Sequence, residues 1–142
     1  MQLTQHTDFG LRLLIVLARR DGDPIALPAF AAEQALSYNH IAKVAHALRH
    51  AGFISTLRGR SGGVALARPA EAITLGEVVR AMEPGLRLAD CATCALNADC
   101  ATSSVLARAL AAFLAVLDAT TLAEAAKSHT PAFAPWAAPR RR

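Results

Sequence analysis

Between residues 37 and 66 the chain sets out, in order, a helix start, a helix, a helix stop and two short β-favouring runs around one basic turn. Few folds accommodate that succession. Ser37 stands where a helix N-cap is needed, and Ile41, Val44, Ala45 and Leu48 recur at spacings of three and four, the buried stripe of a helix from Tyr38 to about His50. Ala51-Gly52 supplies the stop. The runs Phe53 to Leu57 and Val64 to Leu66 predict two strands, and Arg58-Gly59-Arg60-Ser61-Gly62-Gly63 predicts the hairpin that joins them.

Upstream, Phe9, Leu13, Val16 and Leu17 mark an amphipathic helix over Thr4 to Arg20, ended by Asp21-Gly22-Asp23-Pro24. A short helix opens near Pro28, carries Phe30 and Ala31 inward and ends around Ala35. Helix, turn, helix and basic hairpin form a winged helix-turn-helix, in which the second helix enters the major groove and the wing approaches phosphate or the minor groove. The charge pattern agrees. The net charge is +4, and no acid occurs from Gln34 to Ala70, where Lys43, Arg49, Arg58, Arg60 and Arg68 lie. The glycines form no nucleotide-binding loop, because Val64-Ala65 follows them instead of Lys-Ser or Lys-Thr.

Downstream, Thr74-Leu75-Gly76-Glu77 has the capping-box pattern and predicts a helix to about Met82, broken by Pro84-Gly85. A helix is predicted from Ser103 to Ala126, with Leu106, Leu110, Phe113 and Leu117 along one stripe, too apolar for a small domain to cover alone. The expected fold is therefore mainly α with a small β-wing. It comprises a winged helix-turn-helix domain (1–83), a cysteine loop (84–102), a long C-terminal dimerisation helix (103–127) and a flexible basic tail (128–142) ending in three arginines. The apolar run Leu13 to Ala18 is too short to cross a membrane and no secretory signal is recognisable, so the expected compartment is the cytoplasm.

Cys91, Cys94 and Cys100 lie within ten residues of one another. In a reducing compartment such a cluster points to metal or redox chemistry, and a disulfide would strand one thiol. Thiolates suit zinc or the iron of an iron–sulfur cluster. Three of them leave one position to a carboxylate, a solvent molecule or a distant residue. Buried thiols without a metal are the simpler alternative. No nucleophile–base pair is recognisable, so an enzyme is not expected. His46 and His50 have a spacing able to bind metal, but they lie on the polar face of the Tyr38 helix.

Four segments together resemble the NsrR and IscR family of iron–sulfur winged-helix regulators. They are Met1-Gln2-Leu3-Thr4 with Thr7-Asp8-Phe9-Gly10-Leu11-Arg12; Leu36-Ser37-Tyr38-Asn39-His40-Ile41-Ala42-Lys43-Val44; the wing Arg58 to Val64; and Ile73 to Glu83 followed by the cysteines. The order is collinear over roughly residues 1 to 125, and Asp8 brings the chain closest to the nitric-oxide-sensing NsrR branch. The resemblance implies a cytoplasmic homodimer that binds a double-stranded DNA operator and represses transcription. It implies an iron–sulfur cluster, [4Fe-4S] or [2Fe-2S], on Cys91, Cys94 and Cys100, with Asp8 of the partner subunit as fourth ligand, and loss of operator binding when nitric oxide nitrosylates the cluster. The two-residue gap between Cys91 and Cys94 is shorter than the family's usual one and leaves the cluster type open. On the DNA side it implies roles for Ser37, Tyr38, Asn39, His40 and Lys43 on the helix and for Arg58, Arg60, Ser61 and Gly62 on the wing. Two alternatives remain: an IscR-like sensor of iron–sulfur or redox status, and a zinc-stabilised module whose basic face binds protein.

Overall fold

A computed structural model describes residues 2–59, 62–96 and 100–127. Expectations about Arg60, Ser61 and the tail 128–142 fall outside the described residues.

Helix α1 (Gln5–Ala18) is the hub, packed against the elements that follow it, with Leu13 and Leu14 fully buried. It begins where Thr4 caps it and ends two residues earlier than expected, where Asp21 and Gly22 take positive φ. Helix α2 (Leu27–Glu33) carries Pro28 in its first turn and buries Phe30 and Ala31. The turn to α3 (Tyr38–His50) passes through Ala35 at φ 53, a left-handed conformation held by the Leu36 amide donating to the Ala31 carbonyl at 2.8 Å. Ser37 occupies the N-cap position of α3 as expected, but its hydroxyl makes no capping bond. Ser37 is exposed to solvent.

Strands β1 (Ile54–Leu57) and β2 (Gly63–Leu66) pair antiparallel, Ile54 opposite Leu66 and Leu57 opposite Gly63. Phe53 sits just before β1, its side chain buried. Ile25 extends the sheet, exchanging two 2.9 Å bonds with Val64, and so ties the wing's root to the chain entering α2. The result is a winged helix-turn-helix, mainly α with a small β-wing.

Helix α4 (Leu75–Met82) opens on a complete capping box: Thr74 accepts from the Glu77 amide, and Glu77 accepts from the Thr74 amide. That backbone bond, with Arg68 nearby, holds the Glu77 carboxyl below its usual range despite an opposing contribution from burial. A depressed folded-state value means stabilisation present above the unfolded value of 4.5 and lost as pH falls through the folded one. Wild type is therefore expected to melt above Glu77→Gln at pH 7, with the difference closing below about pH 4. A pH-independent difference in thermal melts would contradict this.

The single helix expected over 103–126 is two helices. Helix α5 (Ala101–Asp118) stops at Ala119, and α6 (Leu122–Ala126) starts on a second complete capping box, Thr121 with Glu124. The chain turns because Thr121 bridges to Thr74, the Leu122 amide donates to Ile73 at 2.8 Å, and Leu122 is fully buried in the core. The cysteine loop contains one 3-10 turn, Cys91–Thr93.

Candidate nucleic-acid interface and cysteine centre

At about 100° per residue, Tyr38, Asn39, Ala42, Lys43, His46 and Arg49 share one side of α3. The opposite side is the core stripe of Ile41, Val44, Ala45 and Leu48. Tyr38, Asn39, Lys43, His46 and Arg49 are exposed, as is Ser37 ahead of them. His40 is placed differently. Its ring meets the edge of Phe9 in α1, centroids 5.1 Å apart at 74°, so it is partly covered, at the edge of the side that carries Asn39 and Lys43.

In the wing, Gly59 at φ 114 takes a backbone conformation that suits glycine, and the Gly62 amide closes the turn onto the Gly59 carbonyl at 2.9 Å. Arg58 is exposed beside it. Of the basic residues in the acid-free segment, Arg68 is committed internally: it lies over the Phe53 ring and donates to the Ala72 carbonyl and Glu77. Lys43, Arg49 and Arg58 make no salt bridge among the described residues. A cleft of about 340 Å³ separates α3 from the wing root, bordered by Tyr38, His46, Arg49, Thr56 and Gly62. From sequence, Arg49 and His46 fall on the polar, basic face of this helix but are not assigned to DNA contact. The signal was available, since Arg49 follows Tyr38 by eleven residues, three full helical turns.

The cysteine loop is held at both ends. Before it, Glu83 at the C-cap of α4 accepts from the amide and hydroxyl of Thr4, at 2.5 and 2.9 Å. Burial raises the Glu83 carboxyl's pKa, but hydrogen bonds from Thr7 and Thr4 outweigh it and the net direction is down. After the loop, Cys100 is the N-cap residue of α5. Its sulfur makes no capping bond, but the nearby amides of Ser103 and Thr102 at the start of α5 lower its pKa, an environment that suits a ligating thiolate. Cys91 is partly covered, against a cleft that includes Leu106 and Leu110 of α5, and Cys94 is exposed. Among the described residues, no three His, Cys, Asp or Glu side chains gather closely enough to hold a metal ion. Asp8, half exposed in the first turn of α1, is paired with Arg12 through two bonds of 2.6 and 3.1 Å. The donor set nevertheless fits an iron–sulfur centre in kind: three soft sulfurs on one loop, the pKa of one of them lowered by its surroundings.

Residues 3–128 match the Rrf2 family, described as iron-dependent transcriptional regulators. The chain belongs to the Rrf2 family. One relative, the HTH-type transcriptional regulator NsrR of Shouchella clausii (strain KSM-K16), is 43% identical over 128 residues, covering 86% of each chain. Among solved structures, the global cysteine regulator CymR of B. subtilis aligns with a TM-score of 0.77 at 28% identity, over 89% of this chain and 96% of its own. IscR of T. potens aligns at 0.72 and 28%, over 88% and 85%. Like its Rrf2 relatives, the chain is a DNA-binding transcriptional repressor and not an enzyme. In a helix-turn-helix the second helix is the element that enters the major groove, and here the second helix of the motif is α3.

Proposed function

We propose that this repressor is a cytoplasmic homodimer that carries an iron–sulfur cluster on Cys91, Cys94 and Cys100, senses nitric oxide and then releases its operator. The observation that carries the proposal is the position of the cysteine loop. It lies between α4, which is fixed to the start of α1 by Glu83, and α5, which leaves the domain with no fully buried residue. When bound, the cluster would supply iron open to attack by a small diatomic ligand at the position lacking a thiolate. The chain's own part is mechanical. Cys100 fixes the first turn of α5, and Cys91 is set against Leu106 and Leu110 of the same helix, so the loop's shape governs how α5 leaves the domain.

Helix α5 exposes Val105 and Val116 at 56% and 67%, which argues for a second copy covering it. By length and composition this 18-residue helix also passes as a membrane span, with mean hydropathy 1.5. Membership of a DNA-binding family favours the helix partner over the bilayer. Asp8 supports a fourth-ligand role by its chemistry, although reaching a partner's cluster requires it to leave Arg12. Ser37, Tyr38, Asn39, Lys43, Arg58 and Gly62 form the DNA surface; Arg60 and Ser61 belong to the same wing tip by sequence.

The test is anaerobic. Reconstituted protein is titrated with nitric oxide while its visible absorbance and its binding to the DNA upstream of its own gene are followed together. Bleaching and release should run in parallel. Equal binding before and after nitric oxide would refute the sensor role. Release on oxidation or iron depletion, but not by nitric oxide, would favour the IscR-like reading.

A further inference from the structure

The cleft between α3 and the wing root has a use beyond separating the two DNA-reading elements. Its floor is made of small side chains, Ala42 and Ala45, so the space stays open. One wall is apolar, from Ala26, Leu27 and Pro28 at the start of α2. The rim carries His46 and Arg49, and among the described residues no acid lines it. An apolar wall beneath a cationic rim matches a deoxyribose followed by its phosphate.

Position along the helix gives the same answer. Asn39 and Arg49 are ten residues apart, about 15 Å along the α3 axis. The major groove is about 12 Å wide. When the N-terminal residues of a recognition helix reach base edges, as is usual for this motif, the other end lies beyond the groove's rim, where a backbone strand runs. We infer that one sugar–phosphate strand of the bound duplex seats in this cleft, with Arg49 and His46 holding its phosphates. The inference rests on the assignment of α3 and the wing as the DNA surface, and adds the strand that positions them.

Phosphate contacts carry no sequence information, so a labelled duplex of arbitrary sequence is a sufficient probe. Fluorescence anisotropy of the full chain across a salt series gives affinity and the slope of log K against log salt. Arg49→Ala is expected to reduce that slope by about 0.9, the loss of one phosphate contact. Arg49→Lys keeps the charge and should keep the slope. His46→Ala should weaken binding roughly threefold to tenfold, the loss of one hydrogen bond. An unchanged slope in Arg49→Ala would overturn the proposal, and so would an equal loss in Arg49→Lys, which would mark a structural role. A wild-type chain that binds no duplex at any salt would refute the DNA surface itself, and that failure is visible before any variant is measured.

Discussion

Cys91→Ala, purified and reconstituted without oxygen, is expected to lose the visible absorbance, acid-labile sulfide and most of the iron that wild type carries. Two thiolates from one loop, with a carboxylate as the only further ligand in prospect, fall well short of the four-ligand sets that hold such clusters. Cys91 is the cleaner choice of the three. Cys100 is the N-cap residue of α5, a position with strong residue preferences, so replacing it also touches the start of that helix. Cys91 stands in a short 3-10 turn with its side chain in no hydrogen bond among the described residues, so the variant should fold with an unchanged far-ultraviolet dichroism spectrum. Its operator binding should then ignore nitric oxide. Full iron and sulfide in the variant would mean that the centre is not built on this loop. A colourless wild type holding stoichiometric zinc would instead favour the zinc-stabilised module.

Much of this fold could be read from sequence because its local signals agree with its tertiary ones. The stripe Ile41, Val44, Ala45 and Leu48 is buried as periodicity predicts, and the Thr74–Glu77 capping box forms both of its bonds. The same pattern, Thr followed three residues later by Glu, recurs at Thr121 and Glu124. It was overridden by the alanine-rich apolar run around it, which reads as one continuous helix. What breaks that helix is long-range: Thr121 bridges to Thr74, 47 positions earlier, and window periodicity carries no information about it. His40 is a related case. Helical spacing places it near the edge of the polar face, and only the packing of α1 shows that its ring is engaged by Phe9. At the cysteine centre sequence supplied the donor types and their spacing, while the geometry that would gather them depends on a cluster and a second subunit.

The two ends of α5 are consequently anchored in different ways. Its start is the cysteine loop. Its end is fixed to α4 by Arg80 and Asp118, paired through bonds of 2.5 and 2.6 Å, which lower the Asp118 carboxyl's pKa. A side chain at Gly76 would overlap the Asp118 carboxylate, so glycine leaves room for the pair in this geometry. An exposed pair of this kind contributes little to stability. Under the proposed mechanism its value would be directional: it ties the end of α5 to α4, so that a change in the loop at the other end would pivot the helix about that point.

The firmer part of that pivot is α6, and Leu122→Ala is expected to be the most destabilising single change in the C-terminal region. Leu122 is fully buried in the cluster that contains Leu13, Leu14 and Phe30. Truncating a buried leucine costs about 2–5 kcal/mol, a large share of the 5–15 kcal/mol that typically holds a domain folded. A five-residue helix cannot persist without that anchor. Its release also endangers the Leu75 amide bond to Thr120 at 3.0 Å and the Arg19 bond to the Ala126 carbonyl at 2.8 Å. A fall in melting temperature of about 10 °C or more should follow. Leu106→Ala on α5 is the control, since Leu106 is only partly covered within one subunit. Its effect should appear as a melting temperature more dependent on protein concentration, the mark of a weakened dimer. If Leu122→Ala melted within a degree of wild type, α6 would not be the fixed end of the lever, and the loop could not act on the DNA-reading helix through α5.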